Sequence, residues 1–469
     1  MGLPYNSTYP KGTSIISRFF GINKTDNYAD GEFYEMSNVS SDSFPTLTSQ
    51  KAWRKNEEFS LFDGKDVCVF DGNIATLSSS GGGTLYTTSG DESMTLNYTG
   101  GAVKHYCQLN NNLFVISENN GSCKAYVITI NNKTSTKTST CTLSNALSDS
   151  EYPVSSENRI WVCSSEKNEI RSCKLGTPTA WQTYEGLASD SYTASVGISS
   201  KFTGSAAFQG YVYFFKENSF YRIYGSKPAN YQITNHNVIG VKEGCHNTVR
   251  ECGDYLFYLS PKGFVRFNGT TAQVISEKIG NGNTIRCTSC EVLGDRYYCW
   301  AKTDKDDKYR LYCYDTSRDL WTVSDAEGDE NTRLINSLNR ILLSNVGNIT
   351  EIISDENSDI YSLWLLENDK PCEWFVDFAT TLDDSFDPKI ITKIKLNVEL
   401  KSDSVLRVYV KYDNESEYRL LREITNEEGR ITQIVPMIQN RYEHMQVRLS
   451  GEGHVKLYGI VRYIEYGEK

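Results

Sequence analysis

Along the middle of the chain, hydrophobic and polar positions recur in one unit: a short polar turn, then a strand of aromatic and aliphatic residues, then a second turn and a second strand. The unit begins at Phe62-Asp63-Gly64 and runs to Val67-Cys68-Val69-Phe70; it returns at Asn110-Asn111-Asn112-Leu113-Phe114-Val115-Ile116 and at Glu157-Asn158-Arg159-Ile160-Trp161-Val162-Cys163. It sharpens at Gln209-Gly210-Tyr211-Val212-Tyr213-Phe214-Phe215, Gly253-Asp254-Tyr255-Leu256-Phe257, Gly294-Asp295-Arg296-Tyr297-Tyr298-Cys299-Trp300 and Leu338-Asn339-Arg340-Ile341-Leu342-Leu343. Successive turns lie roughly 41 to 53 residues apart, the length expected when each four-stranded blade of a propeller is one repeat. Some units continue across a second tight turn, as at 216–224 and 261–269, which reads as a hairpin. Near-continuous apolar runs such as Val212 to Phe215 fit strands buried on both faces. The pattern predicts a six- or seven-bladed β-propeller over residues 56–355, with a pair of β-sandwiches as the competing reading.

The pattern breaks in a linker at 356–373, and from 374 to 469 the period becomes two. Ile391-Thr392-Lys393-Ile394-Lys395-Leu396 and Val405-Leu406-Arg407-Val408-Tyr409-Val410 show the period of two most clearly, which predicts one buried and one wet face and hence a C-terminal β-sandwich. Residues 1–55 are turn-rich without a repeat and are expected to form an extended N-terminal arm packed on the rest.

Composition narrows the class to all-β. Among the 469 residues, 12% are aromatic, with 31 Tyr and 19 Phe against 10 Pro, a strand-and-turn usage. No run approaches the roughly 20 apolar residues of a membrane-spanning helix, so no membrane insertion is expected. The first residues lack a charged start followed by an apolar stretch, so no secretory signal is expected either. Lys and Arg number 48 against 59 Asp and Glu, a net charge of -11 that disfavours an electrostatic grip on nucleic acid. The 13 cysteines, odd in number and often set in apolar strands, are read as reduced and buried.

No catalytic constellation emerges. His105, His236, His246, His444 and His454 show no paired spacing. Cys287-Thr288-Ser289-Cys290 is a C-x-x-C with no second pair at zinc-site spacing. There is no nucleophile elbow, zincin motif or P-loop, and Gly81-Gly82-Gly83 reads as a loop tip. Acidic clusters at Asp304-Lys305-Asp306-Asp307 and Asp325 to Glu330 contain oxygen ligands suited to calcium but are read as solvated hairpin tips. Asn6-Ser7-Thr8, Asn97-Tyr98-Thr99 and Asn268-Gly269-Thr270 match the glycosylation pattern and are attributed to composition. No catalytic, cofactor-binding or metal residue, and no cofactor, is therefore assigned.

Two stretches resemble the β-propeller tail proteins of short-tailed bacteriophages, known as the tail nozzle, tail hub or packaged-DNA stabilisation protein. The first runs from Phe208-Gln209-Gly210 through Tyr221-Arg222-Ile223-Tyr224-Gly225, Gly244-Cys245, Gly253-Asp254 and Asn268-Gly269 to Ile275-Ser276. The second is the arm, with Phe20-Gly21-Ile22-Asn23, Asp30-Gly31-Glu32, Met36-Ser37-Asn38-Val39 and Pro45-Thr46-Leu47. The resemblance implies a non-enzymatic structural protein of the virion tail, made in the host cytoplasm. It further implies a homohexameric ring that meets the head-to-tail adaptor and other tail proteins or fibres, retains packaged DNA and lets it pass without sequence-specific binding. The alternative is a receptor- or glycan-binding tail protein, with Trp161, Trp181, Trp300 and Trp321 as stacking platforms. A glycosidase on a propeller body ranks third.

Overall fold

The computed structural model describes residues 11–55, 67–352 and 365–466, less short stretches inside the latter two ranges, the longest of them 380–388. Every regular element of any length among these residues is a strand. Seven open sheets of four antiparallel strands follow one another along the chain. Six are sequential meanders over 67–96, 102–140, 151–195, 204–236, 250–274 and 286–324. The seventh takes three strands from 333–352 and its fourth, Trp53–Lys55, from the N-terminal region, laid antiparallel to Asn348–Ile352.

One turn accounts for the recurrence seen in the sequence. In each sheet the first strand meets the second across a tight turn that carries a residue of positive φ: Asp71 (47°), Asn110 (52°), Asn158 (58°), Gln209 (50°), Gly253 (59°), Gly294 (61°) and Asn339 (60°). Left-handed residues in a two-residue hairpin match the twist of the flanking strands, and Asn, Asp and Gly adopt that conformation at least cost. Six of the seven sequence units mark this turn. The unit at 62–70 does not: Val67–Phe70 is the first strand of its sheet, the turn follows at Asp71, and residues 62–66 lie outside the described residues. Gly81 and Gly82, the sequons at Asn6 and Asn97, Cys141 and most of the 356–373 linker lie outside them as well.

The sheets are buried on both faces, as in Arg159–Ser164 and Arg310–Asp315, where every residue is buried. Each packs on its neighbour. Phe70 and Leu77 meet Leu113 and Val115, Phe114 meets Ile160 and Val162, and Trp161 meets Phe214 and Ile223. Phe215 stands 5.3 Å from Tyr258, Phe257 stands 5.2 Å from Tyr297, and Trp300 meets Leu334 and Leu343. Ile335 and Leu342 of the seventh sheet pack against Ile74 of the first. Side chains of this size each contribute about 1.5–3 kcal/mol on full burial, so every junction between sheets is a substantial interface.

Two larger sheets complete the molecule. A six-stranded sheet is built on Lys389–Leu400 and Val455–Tyr466, and a five-stranded sheet on Glu373–Phe378, Val405–Tyr412 and Met445–Glu452. Val405–Tyr412 and Met445–Glu452 alternate between buried and half-exposed positions without exception, the period of two read from the sequence. The N-terminal region is woven into both sheets. Lys11–Ile16 pairs along Val455–Tyr466, Leu47–Ser49 joins the same strand, and Phe33–Ser37 forms the edge of the five-stranded sheet.

Between these strands the N-terminal region lies on the sixth four-stranded sheet, and here Asp306 and Asp325 depart from the reading of the acidic clusters as solvated tips, while Asp304, Asp307, Glu327, Asp329 and Glu330 are exposed as that reading expects. The Asp306 side chain is 2% exposed and takes the Lys24 ammonium at 3.0 Å. Lys24 also reaches Glu35 at 3.1 Å, while Arg310 bonds Glu35 at 2.6 Å, Asp325 at 2.9 Å and the Met36 carbonyl at 2.7 Å. Ser37 donates to Asp325 at 2.7 Å, and Ser41 to Asp315 at 2.9 Å. Pattern reading places charge runs in turns; it cannot show that a cation 282 residues distant in sequence, Lys24 for Asp306, will neutralise one of them.

Candidate functional site

The first strand of every four-stranded sheet borders one cavity of about 620 Å³. In chain order the sheets contribute Val67, His105, Tyr152, Ser205, Arg250, Glu291 and Arg333. Three of these strands are bulged, at Val103/His105, Glu151/Val154 and Cys287/Ser289. A bulge adds a residue to one strand and re-aims its side chains. Tyr152 sits in such a bulge at φ 50°, a conformation rare for an aromatic residue. Its ring lies 4.5 Å from His105 and 5.3 Å from His246, and the two imidazoles stand 4.6 Å apart, edge to face.

This pairing is spatial and has no counterpart in the spacing of the histidines along the chain. His105 and His246 are 141 positions apart and have no motif in common; only the convergence of first strands brings them together. Burial, followed by the Arg250, Arg333 and Lys104 charges, pushes His246 down to about 4, and burial with His246 beside it holds His105 well below the usual imidazole range. Both rings are neutral at pH 7. Arg250 and Glu291 form a two-bonded pair at 2.7 and 3.0 Å, in which the carboxylate outweighs burial and keeps the guanidinium charged. Of the other three, His236 stacks on Phe220 at 4.9 Å, His444 faces Asp413 at 3.6 Å, and the His454 carbonyl accepts from Lys401 N–H at 3.3 Å.

Cys287 and Cys290 lie within the bulged strand Arg286–Leu293, and their sulfurs are 3.4 Å apart. Cys299 is paired directly across from Cys290. No group of His, Cys, Asp and Glu among the described residues is arranged to hold a metal ion. Burial pushes the Cys287 and Cys299 thiols up, and Cys245 to about 11, so these sulfurs are protonated and poor nucleophiles, whereas against burial the hydrogen bonds from Cys287, Cys299 and Tyr297 hold the buried Cys290 below the usual thiol range. The 12 described cysteines are free thiols. Alkylation of the native protein at pH 7 is expected to label few sites, and alkylation after unfolding without reductant to label all 13. Pairs that stay protected until reductant is added would contradict the free-thiol structure.

The four tryptophans considered as stacking platforms are buried, Trp161 at 3%, Trp181 at 4%, Trp300 at 0% and Trp321 at 2% exposure. They are core residues. Trp300 and Trp321 donate their indole N–H to the backbone carbonyls of Asp329 and Ile275. Two glycines between Phe208 and Ser276 sit where a side chain cannot: a Cβ on Gly240 would meet the Lys216 carbonyl oxygen at 2.0 Å, and one on Gly263 the Ser276 hydroxyl at 2.2 Å.

No protein-family model matches the chain, and no curated protein matches it in sequence. Among solved structures it is similar to the extracellular domain of the hybrid two-component system BT4673 from B. thetaiotaomicron, at 11% identity and a TM-score of 0.41, covering 87% of this chain and 59% of that one. It is also similar to AztD from Citrobacter koseri, at 11% identity and 0.38 over 58% of this chain and 87% of that one. A third is the exo-beta-1,3-galactanase of Phanerochaete chrysosporium, at 12% identity and 0.30 over 83% of this chain and 100% of that one. At these TM-scores none carries an argument about what this chain does.

Proposed function

We propose that the seven four-stranded sheets are the blades of a β-propeller around the common cavity, closed by Trp53–Lys55, and that the two larger sheets form a β-sandwich. On this reading the protein is a non-enzymatic structural component of a short-tailed phage tail, a nozzle or hub that retains packaged DNA and conducts it at ejection. The observation that supports it best is the fate of the phage-like arm. Of those motifs, Ile22, Glu32, Ser37 and Asn38 bond to residues outside the arm, while Gly21 and Asn23 bond to Phe33 and Glu32 within it. Ile22 N–H donates to the Trp321 carbonyl at 2.8 Å, and the Glu32 carboxylate takes Lys278 at 2.7 Å. One continuous segment thus binds the blade ring to the sandwich, as a part that transmits load requires.

A cavity of about 620 Å³ has small-molecule size, so DNA would pass between subunits of a six-membered ring facing the adaptor, not through one propeller. The net charge of -11 discourages phosphate from sticking to such a wall. Phage particles assembled without the protein are expected to lose packaged DNA and fail to infect. Particles that retain and eject DNA as the wild type does would overturn the proposal, and electron microscopy showing single copies at fibre tips would favour the receptor-binding reading.

A further inference from the structure

We propose that the cavity enclosed by the seven first strands is a binding site for a phosphate-type oxyanion, held by Arg333 and His105 with Lys104 at its entrance. The inference does not depend on the role in a phage tail. It starts from His105, which lines the cavity at 6% exposure with neither ring nitrogen hydrogen-bonded. A neutral imidazole carries one N–H donor and one acceptor, and leaving both unmet away from water is costly. Such a group is retained where something else fills the site.

Arg333 supplies the charge. Its contacts are the backbone carbonyls of Glu330 and Thr332, each at 3.1 Å through Nη1, and it forms no salt bridge among the described residues. Burial dominates its surroundings and disfavours the charged form. Arg250, by contrast, is already neutralised by Glu291. The lining therefore sets three cations against one carboxylate, with a further carboxylate, Glu151, 4.0 Å from Lys104, which leaves Arg333 as the cation without a carboxylate partner among the described residues. Donors outnumber acceptors, which suits an anion with several oxygens. Lys104 and Gly244 line the cavity and are exposed, so small solutes can enter. The three bulged strands converge here, and bulges of this kind re-aim side chains beside sites.

The test is calorimetric titration and thermal unfolding of the full chain with inorganic phosphate, against chloride at equal ionic strength. Phosphate is expected to bind one per chain and to raise the melting temperature where chloride does not. Arg333→Gln should weaken binding about tenfold or more, the loss of one charge-assisted hydrogen bond. His105→Phe, which removes both unmet nitrogens at similar volume, should abolish the phosphate-dependent rise without lowering the melting temperature of the ligand-free protein. Glucose 6-phosphate distinguishes the sources: tighter binding than phosphate indicates an ester ligand, weaker binding the free ion. Equal shifts in phosphate and chloride, or wild-type phosphate affinity in Arg333→Gln, would overturn the proposal, and if His105→Phe does not fold the Arg333 variant alone decides.

Discussion

Arg310→Met is expected to destabilise the protein by about 3–5 kcal/mol, the usual consequence of removing one partner from a buried ionic network. The guanidinium is 8% exposed and lies among Glu35, Asp306 and Asp325. Methionine preserves most of the packed stem, so the loss reports the three carboxylates left with Lys24 as their main buried cation. The midpoint of urea unfolding measures it. Arg407→Met is the comparison, because its pairs with Glu423 and Glu452 are more exposed and should cost less than about 1 kcal/mol. Equal effects for the two variants would mean that the arm is not anchored by this network.

The same network sets an acid limit. Asp306 is held down to about 2, where burial alone would raise it, because Lys24, Tyr312 and Thr303 stabilise the carboxylate; Asp325 is lowered by Arg310 in the same sense. A carboxyl group depressed in the folded state stabilises fully above its unfolded value near 4, and that contribution is lost as pH falls toward 2. For Asp306 this amounts to about 2 kcal/mol. A chemical-denaturation series across that window should show the decline, and a level profile would contradict the geometry.

Gly21→Ala is the second large effect, expected at about 4 kcal/mol or more, in the range reserved for core strain. Gly21 has φ +77°, and a Cβ there would stand 2.2 Å from the Trp321 carbonyl oxygen. That oxygen is the acceptor for Ile22 N–H, so it cannot move without loss of the arm's hydrogen bond. Gly210 has a similar φ of +76° with nothing within 4 Å of its Cβ position. Gly210→Asn should therefore cost under about 1 kcal/mol, since Asn tolerates the left-handed region. Limited proteolysis of the arm in Gly21→Ala, alongside thermal unfolding of both variants, separates backbone approach from backbone conformation. Comparable losses at the two glycines would remove approach as the cause.

What the amino-acid order determined by itself is local. Asn110, Asn158, Gly253, Gly294 and Asn339 announce the hairpin turns because a positive φ is a property of the residue and its immediate neighbours. Strict alternation through Val405–Tyr412 marks a sheet with one buried face for the same reason, since a strand's side chains change face at every step. The motifs at Gly21 and Glu32 were visible as motifs, although not as contacts. Tertiary structure alone decided the rest. Trp53–Lys55 completes a sheet whose other strands lie nearly 300 residues later, because Asn348–Ile352 leaves a row of unpaired backbone groups that any extended segment of suitable register can satisfy. Lys24 meets Asp306, and His105 meets His246, only because the sheets converge. Such encounters have no period and no local signature: their energy comes from charges and rings that are neighbours in space and strangers in sequence.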